Sequence, residues 1–235
     1  MSHVSQRREQ KVSSEEGISL KGILFKPWKA KAISESSPDR EWQTRRLDHL
    51  KEINQEPDKW RYCKVANIPS GFLFENNGQF KTIQPHYQVG ETVYIKEAIH
   101  RFNVEYASYD LDFTPVMFLQ SANRFHWRWT RDKLSPMFLP HEAARYFIKI
   151  TDVRAERLQG ITEEDAIAEG LKNTVLSDMQ PYFNIAIIPA SQNFKKLWDS
   201  INKDYKWESN PFVFVYTFRL AVFSRRKEKG VKIRW

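Results

Sequence analysis

Three short stretches carry side chains that could do chemistry together. The first is Trp42-Gln43-Thr44-Arg45-Arg46. In an extended segment successive side chains point to opposite faces, so one of Arg45 and Arg46 can face a pocket while the other faces solvent. Arginine holds phosphate or carboxylate through a bidentate fork; the plainer alternative, which the local pattern favours, is a surface strand with salt-bridged arginines. The second stretch is Asn123 to Lys133, NRFHWRWTRDK, in which Arg124, Arg128, Arg131 and Lys133 alternate with Phe125, Trp127 and Trp129. Cations for phosphates and aromatic faces for bases are what single-stranded nucleic-acid binding requires, and an edge strand with its rings packed inward fits the alternation equally well. The third is the acidic segment from Thr162 to Gly170. Glu163, Glu164 and Asp165 suit the amino end of a helix through its dipole. Glu169 falls at the carboxyl end, where the dipole disfavours it, so it calls for a cationic partner or a role in a site unless it is simply exposed.

Other chemistries lack their residues. No GxGxxG, P-loop or GxSxG pattern occurs. The six histidines show no HExxH or paired spacing, and a single cysteine, Cys63, provides neither an intramolecular disulfide nor a cysteine-based zinc site. The expectation is of no metal and no cofactor. No apolar run approaches the roughly 18 residues of a membrane span, and the first residues are charged with no apolar core of a secretory signal. A soluble cytoplasmic protein with no membrane partner is expected.

The elements that must position these stretches are short. Eight Trp, nine Tyr and sixteen Phe in 235 residues provide ample material for a core. Residues 1–18 read as a flexible N-terminal arm, 19–223 as one domain with insertions, and 224–235 as a basic tail. From Arg219 to Trp235 there are seven basic residues and one acidic, +6 of the net +8, which leaves +2 for the other 218 residues. Such a cluster attracts polyanions. SLKGILFK reads as a strand, and PWKAKAIS as a helix with proline in its first turn and Trp28 and Ala32 on one side. Residues 48–59 read as a polar loop. GFLFE and QFKTI flank a turn at Asn76, Asn77 and Gly78. ETVYIKEAI, two runs within 103–120, YFIKITDVRAER and PFVFVYTFRL read as strands. Thr162 caps a short helix ending at Gly170, and SQNFKKLWDSIN is a helix with Phe194, Leu197, Trp198 and Ile201 on one face. Many short strands with few helices, in no regular alternation, predict an α+β domain around a curled sheet or small barrel.

In order, ILFKPWKAKAIS, WQTRR, VGETVYIKEAI, SPMFLPHEAARYFIKITDVRAERLQGITEEDAIAEGL, FKKLWDSIN and NPFVFVYTFRL resemble phage and prophage proteins of the ASCH family, within the PUA-like superfamily. The resemblance runs from about residue 20 to 220. It implies an α+β fold, a PUA-like small β-barrel with flanking short helices and insertions, and a cleft between the QTRR segment and the helix after the ITDV strand. Related domains bind RNA or modified nucleosides there. Some small members are amidohydrolases that remove an acyl group from acetylated cytidine with a Lys, a Thr and a Glu. Carried onto this chain, the Thr falls on Thr44 and the Glu on Glu169. The Lys falls on Glu41, a departure that would set two carboxylates together and raise the pKa of one. Lys29, Lys31 or Lys96 could instead lend an ammonium.

Three functions follow as expectations. The first is a nucleic-acid or modified-nucleotide-binding protein, its partner RNA, DNA or a modified nucleoside. Its binding residues would be Gln43, Arg45, Arg46, Lys96, Glu97, Arg124, Trp127, Arg128, Trp129, Arg131 and Arg145. The second is an amidohydrolase acting through Thr44, Glu169 and Glu41. The third is a phage interaction factor that meets a protein partner through its termini.

Overall fold

The computed structural model describes residues 20–63, 71–102, 107–116, 129–177 and 185–221. The expected arm and tail, and Arg124, Trp127 and Arg128, lie outside the described residues. In chain order the strands are β1 (Gly22–Leu24), β2 (Trp42–Arg46), β3 (Arg61–Cys63), β4 (Phe72–Asn76), β5 (Gln79–Ile83), β6 (Thr92–Lys96) and β7 (Ile99–Arg101). They continue as β8 (Ala107–Tyr109), β9 (Pro115–Val116), β10 (Lys133–Leu134), β11 (Phe147–Arg157), β12 (Thr174–Ser177), β13 (Ile185–Ile188) and β14 (Phe212–Leu220). The helices are α1 (Pro27–Ser34), α2 (Glu163–Ala168) and α3 (Ala190–Ile201). The protein is α+β, mostly sheet with few helices.

The main sheet has the order β1-β6-β11-β14-β2. β1 pairs with β6 in parallel and the other neighbours are antiparallel. No backbone pairing joins β1 to β2 among the described residues, so the strands do not close into a barrel. A side chain spans these two end strands instead: Arg46 Nη2 donates to the Leu24 carbonyl at 2.6 Å.

β14 shows why the sheet is covered on both sides. Phe212, Phe214, Tyr216 and Phe218 enter the main core, while Val213 and Val215 face α2 and α3. Each such side chain contributes roughly 1.5–3 kcal/mol when removed from water, which makes this strand a central one. Its neighbour β11 shifts register between Ile150 and Asp152. Ile148 and Ile150 enter the main core before the shift, and Val153 and Ala155 after it. The extra residue, Thr151, is a bulge that reverses which positions face inward. It turns Arg154 and Glu156 toward α2.

The local chemistry accounts for most elements. The β4–β5 turn has Asn77 at φ 48° and Gly78 at φ 81°, the left-handed pair of a two-residue hairpin. Thr162 Oγ1 accepts the Asp165 N–H at 3.1 Å, capping α2. Gly170 adopts φ 98°, and a Cβ there would stand 3.0 Å from the rings of Trp28 and Trp42.

Two expectations change. Residues 48–59 are not a peripheral loop: Leu50, Ile53 and Asn54 are buried. The Asn54 amide donates to the Phe212 carbonyl at 2.8 Å and accepts the Phe212 N–H at 2.7 Å, a backbone-like pairing concealed by the polar composition around it. In α1 the buried face is Lys29, Ala30 and Ile33, and Trp28 is exposed. Residues 172–190 contribute an unforeseen ribbon, β12–β13, ahead of α3. Strands β10-β7-β8-β9 form a second sheet with its own apolar cluster. Among the described residues no helix is long and apolar enough to cross a membrane.

Candidate functional site

The two end strands of the main sheet, the first turn of α1, the end of α2 and one face of α3 enclose a cavity of about 350 Å³. That lies within the size range of small-molecule sites. Phe25, Trp28, Phe194 and Trp198 give it aromatic walls. Its polar lining is Lys26, Lys29, Thr44, Arg45, Arg46 and Glu169. The proline at the start of α1 sets Lys29 in the first turn of the helix, and antiparallel pairing with β14 places Thr44 opposite Tyr216.

Glu169 explains itself through its partners. It caps α2, at the end where the helix dipole is negative. Its Oε2 accepts from Lys29 Nζ at 2.6 Å and its Oε1 from Arg45 Nη1 at 3.2 Å. Lys29 Nζ also donates to the Gln43 carbonyl at 2.6 Å, tying α1 to β2. Burial pushes the Lys29 pKa down, and Glu169 only partly opposes this. The amine is therefore easier to deprotonate than an ordinary lysine, an attribute of functional lysines.

Behind this pair lies an ion network. The Arg45 side chain is fully buried and bridges Glu156 at 2.8 Å, Asp165 at 2.9 Å and Glu169 at 3.2 Å. Arg154 reaches Glu156 at 3.0 Å and Asp165 at 3.1 Å, and Gln43 Oε1 accepts from Arg45 Nη1 at 3.3 Å. Burial works against the Asp165 carboxylate, but Arg45, Gln43 and Arg154 outweigh it and hold its pKa below the usual range. Thr44 is buried in the cavity wall, and its hydroxyl makes no hydrogen bond among the described residues. It stays available to a ligand.

The structure thus gathers Thr44, Arg45, Arg46 and Glu169 on one cavity, with Gln43 just behind. It does not place Glu41 there. Glu41 is exposed and pairs with Arg219 at 2.8 Å, one residue before the strand and away from Glu169, so the expected pair of carboxylates does not form. Lys31 faces solvent beside Glu35. Lys96 donates to the Met137 carbonyl at 3.0 Å. Glu97 and Arg145 pair with each other at 2.7 Å, and Arg145 lies over the Tyr109 ring at 3.9 Å. Burial raises the Glu97 pKa, with Arg145 opposing. Trp129 packs against the second sheet's cluster and Arg131 is exposed. None of these lines the cavity; Lys96, Glu97, Arg145, Trp129 and Arg131 belong to the β6–β10 side of the molecule.

Lys29 is the residue of most consequence that motif reading alone could not single out. Two signals point to it: a lysine at i and an isoleucine at i+4 share the buried face of α1, and an acid stands at the wrong end of α2. Each needs an opposite charge. Lys26, Phe25, Asp165, Glu156 and Arg154 carry no comparable signal, because only the approach of β1 to β2, the packing of α2 and the bulge in β11 bring them in.

Among the described residues no three His, Cys, Asp or Glu side chains are grouped to hold a metal ion; the carboxylates that do converge surround the Arg45 guanidinium. Comparisons with protein-family models, with curated proteins and with solved structures find no match for this chain.

Proposed function

We propose that this protein binds a nucleobase-bearing ligand, a nucleotide or modified nucleoside, free or within a strand, in the cavity between β1, β2 and α3. The observation that carries this reading is the meeting of aromatic walls with a Lys29–Glu169 pair and an unengaged Thr44 hydroxyl. A base needs flat apolar faces to stack on and a few fixed donors and acceptors for its edge. The resemblance to ASCH proteins supports the same reading. We take the curled sheet, whose two end strands share one cavity, as the form of a PUA-like barrel in this chain. Titrating the protein with nucleosides, including acetylcytidine, and with single-stranded RNA and DNA at two ionic strengths tests it. Quenching of Trp28 and Trp198 fluorescence is the readout. Strand binding that weakens steeply with salt is expected. Silence toward every ligand at low salt overturns the proposal.

A second reading, an amidohydrolase acting on an acylated pyrimidine amine, is favoured by Lys29. Its lowered pKa suits it to take a proton from water or from Thr44. The activated oxygen then bonds to the acyl carbon, the C–N bond breaks, and Glu169, protonated on the way, returns the proton to the departing amine; if Thr44 is acylated, water hydrolyses that ester. Lys29 would stand in for the ammonium missing at Glu41. Acetylcytidine converted to cytidine by the wild type and not by Thr44→Ala is the expected outcome. An inert wild type removes this reading and leaves binding.

A further inference from the structure

The charges around the cavity do not cancel, and the residue lies in one place. Five cations and three carboxylates form the lining and the network behind it. Lys29 is answered by Glu169, and Arg45 and Arg154 by Glu156, Asp165 and Glu169. Two cations on the lining, Lys26 and Arg46, have no carboxylate partner among the described residues. Lys26 is exposed at the rim. Arg46 is held at one corner by the Leu24 carbonyl, 2.6 Å from Nη2, with its guanidinium 5.6 Å from the Phe25 ring. Its Nε is buried without a partner. That Nε is sealed from the cavity, but Nη1 makes no hydrogen bond among the described residues and is not buried. A positioned guanidinium with an unused donor beside an open cavity is an arrangement that an oxyanion completes, through a charge-assisted hydrogen bond.

We propose that Arg46 and Lys26 form a phosphate subsite, and that the cavity's ligand is a nucleoside monophosphate rather than a free nucleoside. The proposal rests on the nucleobase reading above and adds the anionic half of the ligand. A phosphate monoester carries about −1.5 to −2 charges at neutral pH and so matches the two unanswered cations. A diester within a strand carries about one charge per phosphate and leaves one cation unmatched.

The test compares four classes of probe by calorimetry: the common nucleosides with acetylcytidine, their 5′-monophosphates, ribose 5-phosphate, and a short oligonucleotide without a terminal phosphate. Wild type, Arg46→Gln and Lys26→Gln are used, each checked by thermal melting. Lys26 is exposed, so its variant tests the charge even if Arg46→Gln fails to fold. Monophosphates binding roughly ten- to a hundredfold tighter than nucleosides, with that advantage lost in Arg46→Gln and reduced in Lys26→Gln, is the expected result. Equal binding of nucleoside and monophosphate, unaffected by either variant, overturns the phosphate subsite and leaves the nucleobase reading intact. Ribose 5-phosphate binding as tightly as the nucleotides, and lost with Arg46, keeps the subsite and overturns the nucleobase reading. An oligonucleotide that binds tighter than any mononucleotide after residues 224–235 are deleted, and loses that advantage in Arg46→Gln, overturns the monoester in favour of a strand. No binding by any probe overturns both.

Discussion

A buried lysine and a carboxylate at the wrong end of a helix are each unfavourable alone; together they define this site. Removing one partner leaves the other charged in a poorly solvated place. Glu169→Gln is therefore expected to destabilise the fold by about 3 kcal/mol, whereas Lys29→Met combined with Glu169→Leu costs less than that single change, because an uncharged pair has no desolvation to offset. Urea unfolding checks this, and a double variant worse than Glu169→Gln contradicts it. A pH dependence follows from the lowered Lys29 pKa. Below its folded pKa both states bind the proton and the cost of burying the ammonium is present in full. Between that pKa and the ordinary lysine value the unfolded chain holds more protons, so stability from this group rises with pH. Subtracting the Lys29→Met profile from the wild type across the alkaline range should show the rise; a flat difference excludes it. The subtraction also removes the buried tyrosines Tyr87, Tyr109 and Tyr216, whose raised pKa values act in the opposite direction.

At the scale of elements, the site depends on how segments are brought against one another. Gly170 lets the chain leave α2 in a left-handed turn directly against two indoles. Gly170→Ala should cost roughly 1–2 kcal/mol and shift the tryptophan emission, since Trp28 must move; an unchanged spectrum and midpoint contradict this contact. Asn54 acts as a short artificial strand for Phe212. Asn54→Ala strands a buried N–H and a buried carbonyl, and a loss of about 2–3 kcal/mol in urea unfolding is expected. The bulge at Thr151 is the least replaceable detail. Without it Arg154 and Glu156 would enter an apolar core, and Arg45 would lose one of its three carboxylate partners.

For the whole molecule, the distribution of charge separates two kinds of binding. The cavity's unanswered cations are two, while residues 224–235 carry six basic side chains and one acidic. Deleting residues 224–235 should leave mononucleotide affinity unchanged but flatten the dependence of strand binding on salt, since each phosphate contact contributes about −0.7 to the log–log slope for single strands. Filter binding at several salt concentrations reads this directly. A parallel fall in mononucleotide affinity would tie the tail to the cavity instead.

Local chemistry was sufficient for what depends on near neighbours. The proline that opens α1, the threonine cap of α2, the Asn-Gly turn and the alternation of Phe and Val in β14 each specify an element, because propensity, capping and periodicity act within a few residues. The order of segments likewise drew Thr44, Arg45 and Glu169 together as candidates. What lies beyond that reach was decided by tertiary structure. Lys29 rather than Glu41 meets Glu169 because α1 lays its buried face across the open edge of β2. Arg45 meets three carboxylates and Arg46 none because adjacent residues of β2 face opposite sides of the sheet, and Glu156, Asp165 and Glu169 gather on the Arg45 side. A charge acquires its meaning from what surrounds it over a few ångströms, and those surroundings come from segments more than a hundred residues apart.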